Sequence, residues 1–326
     1  MHKIAVLVSH PIQYQAPLFR KIAERPEIDL KVYFAWDNRG ALDKEFGKNI
    51  LWDIPLIEGY RHDFLKNYSP YPSSKFLGQI NPGVVRKISK ENCDAILIFG
   101  WNSFTNWLGF LIAFWRGIPV LLRGENPLNQ ERLKSGWKIK VKKVVLGWLF
   151  RHVSALLYIG EENKRFYQFY GAPTEKLFFA PYAVDNDRFL TASENLKPKR
   201  QRLREELGVG PENLVILFAG KLIPKKRPMD LLRALELLTT NYLPPTTHLL
   251  FVGDGELRPE LKEYVSEKKI PNVKFLGFKN QTEMPEVYAI SDIFVLPSGT
   301  GETWGLAVNE AMCFGVVPIV DRKSVV

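Results

Sequence analysis

The chain has 326 residues, 46% of them hydrophobic and 25% charged, the balance of a soluble globular protein and not of a disordered or membrane-spanning one. That length is more than one ordinary core needs and predicts two α/β domains. The net charge of +10 favours anionic partners, a nucleoside diphosphate or an acidic membrane surface; nucleic acid is disfavoured because no helix-turn-helix, zinc-finger or RNA-recognition pattern is seen.

Two cysteines, Cys93 and Cys313, lie far apart with no His or Cys at metal-ligand spacing. They read as small buried apolar residues in a reducing compartment, not as a disulfide or a metal site. The strand pattern Lys3-Ile4-Ala5-Val6-Leu7-Val8 begins almost at the initiator, so no signal peptide is expected. No run approaches the ~20 apolar residues of a membrane span. Phe104–Trp115 is too short, and Arg151 and His152 break Val144–Ile159. The expected location is cytoplasmic, at most peripheral on the inner face of a membrane.

In chain order, Ile4–Val8, Leu30–Phe34, Ala95–Phe99, Val120–Leu122 and Ala155–Ile159 read as strands. Ala16–Glu24, Gly83–Glu91, Trp107–Arg116 and Glu162–Tyr170 read as helices between them, and Asn38–Tyr71 as a long loop region. This alternation predicts a parallel sheet covered on both faces. The pattern restarts with strands at Leu214–Ala219, His248–Val252, Val273–Leu276, Ile293–Leu296 and Val316–Val320, and helices at Met229–Thr240, Leu257–Glu267, Met284–Ile290 and Gly305–Phe314. We therefore expect a first domain over 1–185, a polar, basic linker over 186–211 and a second domain over 212–326.

Several segments carry chemistry. Strand Ile293–Leu296 runs into Pro297-Ser298-Gly299-Thr300-Gly301-Glu302-Thr303-Trp304-Gly305-Leu306 and then a helix containing Glu310. Ligands of open parallel sheets sit at the carboxyl ends of the strands. The free N–H groups around Trp304, Gly305 and Leu306 would suit a diphosphate, Glu302 can reach a sugar hydroxyl, and Glu310 can accept from a ribose. Strand Leu214–Ala219 runs into Gly220-Lys221-Leu222-Ile223-Pro224-Lys225-Lys226, where Lys221 and Lys226 can stabilise a leaving diphosphate without a metal. Gly253-Asp254-Gly255 after the next strand is by itself only a tight turn.

The first half offers His10 at the end of the first strand, a ligand for acceptor or sugar hydroxyls or simply a hydrogen-bonded structural residue. Trp101 is either a stacking platform or core. Arg123-Gly124-Glu125-Asn126 closes another strand. Arg132–Val144 interleaves Arg132, Lys134, Lys138, Lys140, Lys142 and Lys143 with Trp137, Ile139 and Val141, which suits an amphipathic helix on an anionic membrane as well as a solvated face.

The stretch from Glu302 to Glu310, with Gly315 and Pro318-Ile319-Val320 after it, resembles the E-x7-E signature of the retaining glycosyltransferases of family 4. Phe251–Glu256, Val273–Phe278, Asp292 and Pro297-Ser298 extend the likeness over the second half. The resemblance implies a GT-B fold, two Rossmann-like doubly wound domains facing a crevice, and sugar transfer with retention from a nucleotide sugar to a glycan or lipid-linked acceptor. It implies no bound metal and no cofactor. Glu302, Lys226, Lys221 and His10 would act in catalysis. The donor would be held by Gly220, Lys221, Lys226, Gly301, Glu302, Trp304, Gly305, Leu306 and Glu310. Val273–Phe278 would meet the nucleotide base.

There are departures from the family. Lys221 stands where an Arg is usual, which loses a bidentate fork. No His follows Val120–Leu122, so Arg123 or Glu125 would take over a sugar contact. Family members usually continue beyond the segment matching Pro318–Val320, so the second domain is expected to be incomplete, of low stability and with little transfer activity. A nucleotide-sugar epimerase on the same fold and an inactive donor-binding fragment are the alternatives. A Rossmann dehydrogenase is weaker, since no Gly-x-Gly-x-x-Gly follows the first strand.

Overall fold

The computed structural model describes residues 1–38, 42–43, 48–133, 136–241, 246–299 and 302–321. The chain forms two compact units, one of Met1–Arg39 and Pro55–Tyr182, the other of Gly40–Ile54 and Ala183–Val326.

The first unit is built on a parallel sheet of seven strands. In chain order they are β1 (His2–Val8), β2 (Ile28–Phe34), β5 (Arg61–Phe64), β6 (Ala95–Phe99), β7 (Val120–Arg123), β8 (Ala155–Tyr158) and β9 (Leu177–Phe179). Their spatial order is β5-β2-β1-β6-β7-β8-β9. The short strands β3 (Leu42–Asp43) and β4 (Lys48–Asn49) pair antiparallel. The helices are α1 (Ala16–Ala23), α2 (Val84–Lys87), α3 (Phe104–Trp115), α4 (Gly136–His152) and α5 (Glu161–Phe169).

The period-2 geometry of a strand explains why these runs are apolar throughout. Along β1, Ala5 and Leu7 point into one core with Ile96, Ile98, Phe110 and Phe150. Val6 and Val8 point into the opposite core with Phe19, Val32 and Phe34. The expected loop region over Asn38–Tyr71 instead contains β3, β4 and β5. β5 and β9 escaped the hydrophobic pattern because they are edge strands. β5 is mostly polar, and Phe178 and Phe179 of the three-residue β9 are exposed.

The second unit has a five-stranded parallel sheet, β10 (Val215–Ala219), β11 (His248–Val252), β12 (Val273–Gly277), β13 (Ile293–Leu296) and β14 (Val317–Val320), in the order β12-β11-β10-β13-β14. Its helices are α6 (Asn186–Leu196), α7 (Arg200–Glu206), α8 (Pro228–Asn241), α9 (Arg258–Glu267), α10 (Met284–Ile290) and α11 (Leu306–Met312). The same two-faced alternation holds. Val215, Leu217 and Ala219 enter one core, and Ile216 and Phe218 enter the other.

Residues 186–211, read from composition as a linker, carry α6 and α7 and pack into this unit. Phe189 of α6 is buried beside Tyr288 and Phe314. Arg204 of α7, 3% exposed, pairs with Asp292, and that carboxylate also accepts the Val215 N–H. Two of the charges in that basic stretch, Arg200 and Arg204, fasten it to the unit through Asp292. Residues 51–53 also belong to the second unit. Asn280 donates to the Leu51 carbonyl at 2.8 Å, the Asp53 carboxylate accepts from the Thr282 N–H at 3.2 Å, and Trp52 lies 6.1 Å from Phe278.

Candidate functional site

The residues that the sequence reading places on the donor side gather at the carboxyl ends of β10, β11 and β13. β10 lies between β11 and β13, so the connections leaving β10 and β13 diverge there, the place where open α/β sheets hold ligands. After β10 the chain makes Gly220, Lys221 and a short turn over Pro224–Lys226, and Arg227 then adopts the left-handed conformation (φ 52°). After β13 come Ser298 and Gly299, whose N–H donates to the Lys225 carbonyl at 2.9 Å. That bond ties the two loops together.

The tie brings Lys226 onto Glu302, and the ammonium donates directly to the carboxylate across 76 residues of sequence. Both are largely buried, with side-chain exposures of 19% and 8%. Burial alone would push the Glu302 carboxyl up. The Lys226 charge and hydrogen bond, with Ser298 and the Lys225 charge, outweigh it and hold the carboxyl below its ordinary range. Lys221 sits half-buried directly after Gly220.

Gly305 precedes α11 at φ 76°, a conformation glycine adopts without strain. Trp304 is held by its indole N–H, which donates to Asn309 at 2.8 Å. Leu306 opens α11, and one turn on Glu310 accepts from the buried Tyr288 hydroxyl at 2.7 Å. Burial pushes the Glu310 carboxyl up, against the bond from Tyr288 and the charge of Arg188. Gly301 lies outside the described residues.

Sequence reasoning missed what Gly253-Asp254-Gly255 does. The Val252 carbonyl accepts the Gly220 N–H, and the Asp254 carbonyl accepts the Leu222 N–H, both at 2.9 Å. A Cβ on Gly253 would stand 1.9 Å from the Gly220 oxygen, and one on Gly255 2.5 Å from the Leu222 oxygen. The turn is a cradle for the loop that carries Lys221. The only sequence signal for it was the pair of glycines itself.

In the first unit, His10 follows β1, and its Nδ1 lies 2.9 Å from the Ser9 hydroxyl. Burial lowers its pKa to about 4. Arg123, one of two residues expected to replace a missing His, is 6% exposed. Its guanidinium donates to the Ala180 carbonyl at 2.9 Å and lies 4.9 Å from the Tyr182 ring, so it is occupied within the fold. The other, Glu125, stands beside Tyr14 and Tyr182. Burial first, and then this carboxylate, raise the Tyr14 hydroxyl well above its usual range. Trp101 is core: it stacks on Phe166 at 5.8 Å and packs on Phe150 and Tyr167. Cys93 is buried, but Cys313 is only half-buried.

His10 gives a pH prediction. The unfolded chain, with an ordinary His, takes up the proton first. The contribution of neutral His10 to stability is therefore complete above about pH 6.5 and is lost as pH falls toward 4. Thermal unfolding between pH 7 and pH 4 should fall more steeply for the wild type than for His10→Asn. Parallel curves would show that His10 does not titrate this way.

Among the described residues no group of three or more His, Cys, Asp or Glu side chains could hold a metal ion, and no helix is long and apolar enough to cross a membrane.

Comparison with known proteins fits this geometry. Residues 199–325 match the family model for glycosyl transferases group 1. A UDP-Gal:alpha-D-GlcNAc-diphosphoundecaprenol alpha-1,3-galactosyltransferase of Escherichia coli is 29% identical over 244 residues, which is 72% of this chain and 59% of the relative. An alpha-monoglucosyldiacylglycerol synthase of Acholeplasma laidlawii is 28% identical over 46% of this chain and 40% of its own length. The chain thus spans less than two thirds of these curated relatives. Among solved structures, Anabaena HepE in complex with UDP and glucose superposes with a TM-score of 0.68 at 20% identity, covering 99% of this chain and 81% of HepE. WaaG, a glycosyltransferase involved in lipopolysaccharide biosynthesis, does so with a TM-score of 0.61 at 15% identity, over 98% of this chain and 81% of WaaG. Residues 199–325 are thus similar to the glycosyl transferases group 1 family, and the chain as a whole carries the GT-B fold of the solved structures it superposes on.

Proposed function

We propose that the chain transfers a sugar from a nucleoside-diphosphate sugar to a hydroxyl of a glycan or lipid-linked acceptor, with retention at the anomeric carbon, at the inner face of a membrane. The observation that carries this reading is the Lys226–Glu302 pair at the ends of β10 and β13, inside the segment that matches the group 1 family. The relatives' names add support. The Escherichia coli enzyme is named for a diphosphoundecaprenol acceptor, the Acholeplasma enzyme for a diacylglycerol product, and HepE holds UDP and glucose.

In this reading Lys221 and Lys226, with the backbone from Trp304 to Leu306 and the loops at Gly220 and Gly301, take the charge that develops on the departing diphosphate. Glu302 orients a sugar hydroxyl and Glu310 accepts from the ribose. The bond from the anomeric carbon to the diphosphate oxygen breaks. The acceptor oxygen forms its new bond from the same face and passes its proton to the departing phosphate. No protein nucleophile, metal or cofactor is invoked. His10 serves the acceptor side.

A panel of UDP-, GDP- and ADP-sugars, scored for nucleoside diphosphate release with and without hydroxyl acceptors, tests the proposal. Release that depends on acceptor, with the product linkage keeping the donor's anomeric configuration by NMR, is expected. Acceptor-independent release with a rearranged sugar would point to an epimerase, and no release from any donor would leave only a binding role.

A further inference from the structure

Between β5 and α2 the chain runs through residues 66–80 with no strand or α-helix, only the short turn Phe76–Gly78. A segment that long without regular structure needs another source of order. Here two asparagines supply it. Asn67 donates its amide to the Gly78 carbonyl at 2.9 Å and accepts the Ser69 and Ile80 N–H groups at 3.0 and 2.9 Å. Asn81 is fully buried. It donates to the Leu65 and Ala35 carbonyls at 3.0 and 2.8 Å and accepts from the Thr105 hydroxyl of α3 at 2.8 Å. The two ends of the loop are thus pinned to each other and to Ala35, which follows β2.

What this closed loop presents is aromatic and mostly neutral. Tyr68, Tyr71, Phe76 and Leu77 are exposed, Tyr71 by 84%. Phe104 braces Phe76 edge-on at 6.5 Å, and the Lys66 ammonium sits over the Tyr68 ring at 4.9 Å. From Asn67 to Ser74 there is no charged residue. The basic stretch 132–144 differs: its exposed Trp137 and Val144 stand among Lys138, Lys140 and Lys143 (Lys142 turns inward to Glu131 at 2.9 Å, and Lys134 lies outside the described residues). Rings left uncovered on a preorganised loop mark a binding surface. Rings flanked by hydroxyls, with no charge to pair, suit a pyranose, whose C–H face is apolar and whose rim is polar. The sheet places the loop. β5, β2 and β1 are adjacent and parallel, so the loop leaves the same end of the sheet as His10. The base of the loop stands two strands, about 10 Å, from β1.

We propose that the loop over 66–79 is a stacking platform for a neutral oligosaccharide, with Tyr68, Tyr71 and Phe76 against the C–H faces of its sugar rings and the Tyr68, Tyr71 and Ser74 hydroxyls on its rim. It deepens the proposed function and rests on it for the glycan's role: the platform holds sugars of the acceptor remote from the reacting hydroxyl. Longer acceptors are then preferred over a single sugar.

Saturation-transfer NMR of the full chain with chitotetraose, maltotetraose and α-1,6-mannotetraose, each beside its monosaccharide, reads the platform without donor or transfer. At least one tetrasaccharide should bind at least tenfold more tightly than its monosaccharide, equally at 50 mM and 500 mM salt. Tyr68→Ala/Tyr71→Ala/Phe76→Ala, all exposed positions, should weaken that binding at least tenfold and leave the unfolding temperature unchanged. Tyr68→Phe/Tyr71→Phe keeps the rings and should keep most of it. Lys66→Gln/Lys75→Gln should leave it intact. In transfer assays the alanine variant should raise KM for the tetrasaccharide acceptor about tenfold, with kcat and the monosaccharide KM unchanged. No tetrasaccharide bound, or binding that the alanine variant retains, overturns the proposal. So does binding lost with salt or in the lysine variant, since the ligand would then be anionic. A wild-type dimer in light scattering that the alanine variant dissolves also overturns it, because the rings would then be a self-interface. Tetrasaccharide binding without sugar transfer from any donor would instead overturn the proposed function and leave this platform standing.

Discussion

Lys226→Ala should weaken binding of the matching nucleoside diphosphate by about 10- to 100-fold, the loss that follows from removing one charge-assisted contact of about 1.5–3 kcal/mol. The structure adds a second consequence. Lys226 neutralises Glu302, which is 8% exposed at its side chain, so the alanine variant leaves a carboxylate buried without its cation. That carboxylate would face the incoming diphosphate, and its own pKa would rise once the Lys226 charge is gone. The double variant Lys226→Ala/Glu302→Gln should therefore bind nucleoside diphosphate better than Lys226→Ala alone while remaining defective in transfer. Calorimetric titration of both variants checks this non-additivity. Equal affinities for wild type and Lys226→Ala would remove Lys226 from the site. A double variant weaker than either single one would show that the two side chains act separately.

The second large effect is on folding. Gly253→Ala should destabilise the second unit by at least about 3 kcal/mol, near the upper end for a single substitution. At φ 123° an L residue is strained by about 1–3 kcal/mol before any contact is counted. The new methyl would also stand 1.9 Å from the Gly220 oxygen, which is backbone and cannot rotate away. Relief requires the Gly220–Leu222 loop to move, and with it Lys221. Gly315→Ala is the control, because Gly315 also has a positive φ (72°) but open space around the added carbon. Thermal unfolding should shift by roughly 6–12 °C for Gly253→Ala and by much less for Gly315→Ala. Equal shifts would mean that conformational strain alone matters, and the cradle argument would fail.

The contrast between these two predictions shows what the sequence makes legible. Strands buried on both faces write themselves as unbroken apolar runs, so β1, β6, β11 and β13 could be placed almost to the residue. Edge strands β5 and β9 do not, because half of each strand faces outward. Glu302 and Glu310 were visible through their spacing around a glycine-rich turn. The ion pair of Lys226 with Glu302 was not, since it depends on β10 and β13 being neighbours in a sheet where other strands intervene in sequence. The two glycines of 253–255 looked like a generic turn, because the backbone they make room for, at Gly220 and Leu222, lies far upstream in another loop. Trp101 and Arg123 were ambiguous for the same reason: only their neighbours decide whether an aromatic or a cation is used inside the fold. On α4 (Gly136–His152) the sequence left the buried face open, because Leu146, Leu149 and Phe150 enter the core while the equally apolar Trp137, Val144 and Trp148 are exposed, and residue type alone does not say which of them the core takes.

The central claim is that the second unit holds the donor's diphosphate at the ends of β10 and β13. Hydrogen exchange by mass spectrometry on the full chain, with and without saturating nucleoside diphosphate, tests it most directly, because it reports where the ligand acts without requiring an acceptor. Added protection should concentrate in 220–227 and 302–312, with the sheet of the first unit unchanged, and should be lost in Lys226→Ala at the same ligand concentration. Saturable binding that protects neither segment would contradict the account.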